Sequence, residues 1–170
     1  MTSAQAIDEA YERALAGVGK VQEIRIGVLD ERALQRFSLV VGHTDPAHQD
    51  PEAAAELGYD GLLAAPLYLS AVLGWDTGPA ESELLADGNS TTPLGDVDVA
   101  GLRLMGGGQD LTFHEPVVAG LDVTMHAEVT AVTRKEGRSG PLLVLEVHRR
   151  YVDAGDGRLL VECHESFLAR

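Results

Sequence analysis

Residues 42–51 read Gly-His-Thr-Asp-Pro-Ala-His-Gln-Asp-Pro, and the six residues 43–48 hold two imidazoles and a carboxylate, His43, Asp45 and His48. Proline at 46 and 51 excludes a strand or helix interior here, so the stretch is an irregular loop. Imidazole changes charge near neutral pH, and a neighbouring carboxylate can orient it, which is the raw material of general acid–base catalysis. The same composition also suits a solvated turn. His43, Asp45 and His48 are therefore candidate acid–base residues, and the surrounding elements must say what they would act on.

Before the loop, residues 3–16 carry Ile7, Ala10 and Ala14 at helical spacing, with Ser3 as a possible N-cap. Val21 to Val28 alternates and reads as a strand. Asp30 is placed to cap a second helix through Val40, with Leu34, Phe37 and Val41 on one side. After the loop, Pro51 sits at the first position of a helix through Ala55, where proline is favoured. Residues 62–73 are apolar nearly all round, which predicts a helix buried on every side, with Pro66 in its first turn. Residues 74–96 are rich in Gly, Pro, Asp, Ser and Thr and read as a long, variable, mobile loop beside a substrate entrance.

The last third reads as strands. Leu121 to Ala131 alternates, and Leu142 to Val152 and Leu159 to Leu168 continue the pattern across the turn Asp153-Ala154-Gly155-Asp156-Gly157. An earlier strand runs from about Leu102 to Phe113 through Gly106-Gly107-Gly108. No Lys-Ser/Thr follows those glycines, so a bulge or close backbone approach is the better reading than a phosphate loop. His126, His148 and His164 read as half-exposed sheet residues. No His-x-x-x-His or Cys-x-x-Cys spacing appears, and no metal is expected.

A chain of 170 residues is expected to form one domain, 1–170, with a helical extension at 1–20 and the variable loop at 74–96. The net charge of −14 argues against nucleic acid and against an anionic membrane surface. No apolar run approaches the ~20 residues of a membrane span, and the polar start lacks a signal peptide's features. The single cysteine, Cys163, fits a reducing cytoplasm and reads as a core residue, with a catalytic thiol as the minor alternative. Arg134, Lys135, Arg138, Arg149, Arg150 and Arg158 would form either a local basic patch or solvated strand ends. A buried helix followed by an antiparallel meander that wraps it is an α+β arrangement, the hot-dog fold.

These residues resemble the MaoC-like hydratase/dehydratase family, in particular its FAS1-like dehydratase branch. The family loop reads Gly-Asp-x-Asn-Pro-x-His-x-Asp-Pro, against Gly42-His43-Thr44-Asp45-Pro46-Ala47-His48-Gln49-Asp50-Pro51 here. The approach Ala53 to Tyr59, the segment Ala64-Ala65-Pro66-Leu67, the strand Gly106 to Pro116 and the ending from Asp153 carry the likeness further, over about residues 20–170. The resemblance implies reversible addition of water to an enoyl thioester, or its loss from a 3-hydroxyacyl thioester. The loop would hold the water, and backbone N–H groups at the start of the central helix would polarise the carbonyl. It implies substrate contacts at Pro66, Leu67, Tyr68, Gly107 and Gly108. No cofactor is implied beyond the coenzyme A or carrier protein that bears the acyl group. A homodimer, or a heterodimer with another hot-dog protein, is expected, since a curled sheet leaves edges for a second copy.

Among the positions with a chemical role, only His48 keeps its family residue: His43 replaces the aspartate, Asp45 the asparagine, and Pro66 a glycine whose N–H would face the carbonyl. Two readings follow. One is an active hydro-lyase with a rearranged acid–base set. The other is the non-catalytic half of a paired assembly, shaping an acyl pocket for a catalytic partner. A thioesterase-like site would want a carboxylate on the central helix, and residues 62–73 contain none.

Overall fold

The computed structural model describes residues 3–71, 78–84, 88, 94 and 96–170. Five strands form one antiparallel sheet: β1 (Val21–Val28), β2 (Leu104–Phe113), β3 (Asp122–Gly137), β4 (Gly140–Asp153) and β5 (Leu159–Ala169). Their order is β1-β3-β4-β5-β2, so β1 and β2 are the edges. Among the described residues three α-helices accompany them: α1 (Ser3–Leu15), α2 (Glu31–Val40) and α3 (Pro51–Glu56). The expected cap of α2 is present, with Asp30 accepting from the Ala33 N–H at 2.9 Å. Pro51 opens α3 as anticipated, behind an N-cap at Asp50.

Period-two alternation assigns the two faces of the sheet. Val123, Met125, Ala127 and Val129 on β3, with Leu143, Leu145, Val147, Arg149 and Tyr151 on β4, are buried. One end of this face packs on Ile7, Ala10 and Ala14 of α1. The other packs on Leu34 of α2 with Leu62, Tyr68 and Leu69. Between the two clusters along β4 lies an ion pair, Arg149 Nε to Glu165 at 2.7 Å, with both side chains buried. The anticipated basic patch is dispersed: Arg149 faces inward, Arg134 pairs with Asp8 and Glu136, and Arg158 with Asp153 and Asp156.

The stretch 62–73 departs from the expected helix. Leu63 bridges Val118, and Ala64 N–H donates to Val117 O at 2.7 Å. Only at 66–70 does the chain coil into turns. Proline explains the boundary, because it lacks an N–H and forces the residue before it toward extended backbone. Residues 72–73 lie outside the described part. The loop at 74–96 falls largely outside it too; its described part contains a short 3₁₀ turn at Glu81–Glu83.

The glycine triplet makes a bulge, with register shifting between Gly106 and Gly108 against β5. A Cβ at Gly107 would sit 2.6 Å from Ser166 Oγ, so the close approach requires glycine there.

Candidate active site

The catalytic-type loop folds as a 3₁₀ turn, Pro46–His48, between α2 and α3. The Asp45 carboxylate does not meet an imidazole, although the Asp45 backbone N–H donates to His43 Nδ1 at 3.4 Å. Its carboxylate caps the turn, accepting from Ala47 N–H at 3.0 Å, and the residue is exposed. This is ordinary aspartate behaviour ahead of a proline-initiated turn, and it corrects the expectation of a carboxylate poised on His43 or His48. The loop is instead clamped by glutamines: Gln49 Nε2 donates to His43 O, and Gln35 Nε2 of α2 donates to Gln49 O.

His48 is buried, with 6% of its surface exposed, and faces a cavity of about 400 Å³. Its Nδ1 lies 3.0 Å from Leu63 O. A carbonyl can only accept, so Nδ1 carries the hydrogen and the Nε2 lone pair of the neutral ring stays available. Leu63 is fixed in turn, because its own N–H donates to Ala47 O at 3.1 Å. His43 packs against His48, with ring centroids 4.2 Å apart and tilted by 57°, but it does not line the cavity.

The cavity walls come from the 63–70 segment and from 113–117, with Tyr59, Leu111 and Val161. Pro66, Leu67 and Tyr68 line it. Gly107 and Gly108 are not among its lining residues; Gly107 lies instead against Ser166. Leu67 has φ +71, and its N–H has no hydrogen-bond partner among the described residues. Pro66 offers no N–H at all. Tyr68 is buried edge-to-face on Phe37 at 5.2 Å, and burial raises its phenol pKa, with Asp30 adding to the effect.

His114 and Glu115 are cavity residues that the sequence pattern did not single out. Both their N–H groups donate to Leu160 O, at 2.9 and 3.2 Å. Leu160 is the residue skipped in the β4–β5 pairing, so a bulge there anchors the cavity wall. The signal that could have found His114 is its place directly after the strand ending at Phe113.

On the opposite, open face of the sheet, His148 and His164 are cross-strand partners whose rings stack in parallel at 4.4 Å. Glu162 lies 2.8 Å from His148 Nε2 and 3.4 Å from His114 Nε2. The hydrogen bond from His148 is the main cause that holds the Glu162 carboxyl below its usual range, with His114 adding to it.

The family model described as FAS1-like, dehydratase domain region matches residues 6–162. The chain belongs to this family. A UPF0336 protein of Clavibacter michiganensis subsp. michiganensis is 32% identical over 109 residues, which are 62% of this chain and 64% of that protein. The chain thus matches just under two thirds of that relative's length. The ChsH1-ChsH2 complex from Mycobacterium tuberculosis superposes with a TM-score of 0.68 at 19% identity, covering 98% of this chain and 92% of that one. The HadBC (3R-hydroxyacyl-ACP dehydratase) complex from the same organism gives 0.65 at 21% identity, covering 89% and 96%. These neighbours establish the hot-dog fold, and the family is one of hydratases and dehydratases. No helix among the described residues is long and apolar enough to cross a membrane.

Proposed function

We propose that this FAS1-like protein adds water to an enoyl thioester, or removes it from a 3-hydroxyacyl thioester, in the cavity beside His48. The observation that carries this reading is the Leu63 carbonyl on His48 Nδ1, which leaves Nε2 free at the edge of a mostly apolar cavity. Such a cavity suits an acyl chain, with few polar groups to fix its reactive end. In elimination, neutral Nε2 takes the α-proton, and the resulting imidazolium supplies a proton to the departing hydroxyl. The Leu67 N–H, which has no partner among the described residues, donates to the thioester carbonyl in place of the N–H that Pro66 lacks. Pro66, Leu67 and Tyr68 contact the acyl group, and His43 supports the His48 ring. The chemistry uses no cofactor other than the carrier of the acyl group.

A second reading has its own observation. No loop carboxylate reaches the cavity, because Asp45 caps the turn, and Pro66 withholds one oxyanion donor. Both features suit an acyl-pocket subunit whose catalytic pair sits on a partner hot-dog chain, and the HadBC and ChsH1-ChsH2 neighbours are themselves complexes.

The two are separated by following crotonyl-thioester absorbance with the purified chain, then with a co-purifying hot-dog protein. Turnover by the chain alone, abolished in His48→Ala, supports the first reading. Turnover only in the complex, unaffected by His48→Ala, establishes the second.

A further inference from the structure

The geometry points to a binding site for a borderline divalent metal ion of the zinc class on the open face of the sheet, formed by His148, Glu162 and His164. One donor atom from each lies within 4.8 Å of the others. Two imidazoles and a carboxylate are a donor set such ions favour, with positions left for water. The site differs in place and composition from the His48 cavity, and it reverses the expectation of no metal drawn from linear spacing.

The scaffold is a pair of interior strands, β4 and β5. His148 faces His164 directly across β4 and β5, and Glu162 lies two residues before His164 on the same face. Both strands are flanked on each side, so the backbone does not have to be ordered by the ion. His148 and Glu162 are half-buried, while His164 is exposed and leaves the ion a route in.

The existing contacts show what the ion would replace. His148 Nε2 and Glu162 Oε1 face each other at 2.8 Å with a proton between them. Both atoms become ligands once that hydrogen bond is given up and the neutral His148 ring carries its hydrogen on Nδ1 instead. The charged and titratable groups around the site are mixed. Glu128 stands opposite His148 and Asp110 opposite His164, while Arg150 stands opposite Glu162 and His126 opposite Arg150. His114 holds the second oxygen of Glu162. The chain's net charge of −14 adds a general attraction for cations.

One adjustment is needed. Metal–nitrogen bonds of about 2.0–2.1 Å place tetrahedral donors roughly 3.4 Å apart, and stacked parallel rings do not aim their lone pairs at one point. The rings must turn about χ2, a broad and soft torsion for histidine. That reorganisation sets the expected affinity in the micromolar range, not the far tighter range of preformed structural zinc sites.

The test uses the full chain without a polyhistidine tag. Zn2+ is titrated by calorimetry, and Co2+ by its visible absorption, near pH 7.5. We expect one ion per chain with micromolar Kd, weakened at least tenfold in each of His148→Ala, His164→Ala and Glu162→Gln. Because His164 is exposed and Glu162→Gln conserves shape, unchanged circular dichroism should accompany the loss. The double variant His43→Ala/His48→Ala should bind as the wild type does. No saturable uptake below a millimolar of either ion overturns the proposal. So does full affinity in His148→Ala/His164→Ala, or loss of binding in the His43/His48 double variant alone.

Discussion

His43 and His48 meet ring to ring at 4.2 Å, while the carboxylate between them in sequence, Asp45, turns back to cap its own chain. Roles within the loop are therefore separable. His48→Ala should lower turnover by roughly a hundredfold or more, the usual scale for a general acid or base. His43→Ala should lower it as well, and the two should be non-additive if the rings act as a unit. Asp45→Ala should instead lower stability by about 1 kcal/mol through loss of the cap, with Asp45→Ser restoring it. Steady-state rates and melting curves on the four single variants and the His43→Ala/His48→Ala double variant check this. An Asp45→Ala protein of normal stability but lost turnover would contradict the assignment.

The edge strand β2 is largely exposed and pairs on one side only, with β5. We expect a dimer, with itself or with another hot-dog chain, because open edges favour a second strand. Scattering or sedimentation at micromolar concentration reads this directly. A monomer both alone and with the co-purifying protein would rule it out.

Arg149 and Glu165 form a buried ion pair whose worth depends on having both members. Removing one strands the other's charge, so Arg149→Met alone should cost about 3–5 kcal/mol. Arg149→Met/Glu165→Leu should recover much of that loss, since paired apolar replacements of similar volume are often neutral. Urea denaturation gives both numbers. Equal losses in the single and double variants would show that packing, not charge, dominates.

Cys163 is fully buried, and burial, then Glu165, pushes its thiol pKa from an ordinary 9.0 up to about 12. The folded chain keeps this proton where the unfolded chain has lost it. Its contribution to stability is therefore complete below about pH 9 and declines toward pH 12. Tyr151, also raised chiefly by burial, acts in the same direction. Urea midpoints should fall less steeply across this range in Cys163→Ala than in the wild type. Rapid alkylation of the native thiol at pH 8 would be incompatible with this burial.

Much of the architecture was legible because alternation, capping and proline placement are local. β1 has the bounds its alternation predicts, and α2 begins behind Asp30. The 62–73 segment misled because a run apolar on all sides suits a buried helix and a buried extended strand alike. Its amides pair with Ala47 and Val117, partners far off in sequence. Within the site, residue types identified His48, but the cap at Asp45 and the bulge at Gly107 are decisions of backbone geometry. The pairing of His148 with His164 was nearly readable: the two are equidistant from Asp156, in the turn that joins their strands. Linear metal-ligand spacings miss it because the donors meet through hairpin symmetry.

Leu67 carries the one positive φ among the described non-glycine residues, at +71. A left-handed backbone costs a side-chain-bearing residue about 1–2 kcal/mol, and glycine would adopt it without that cost. The chain thus gives up robustness at a position on the wall of the His48 cavity, where a leucine side chain shapes the space and glycine would not. Selection for heat tolerance alone would tend to erase this leucine, whereas selection for discrimination among acyl groups would keep it. Laboratory evolution run under each pressure should therefore separate at codon 67 before it separates in the sheet.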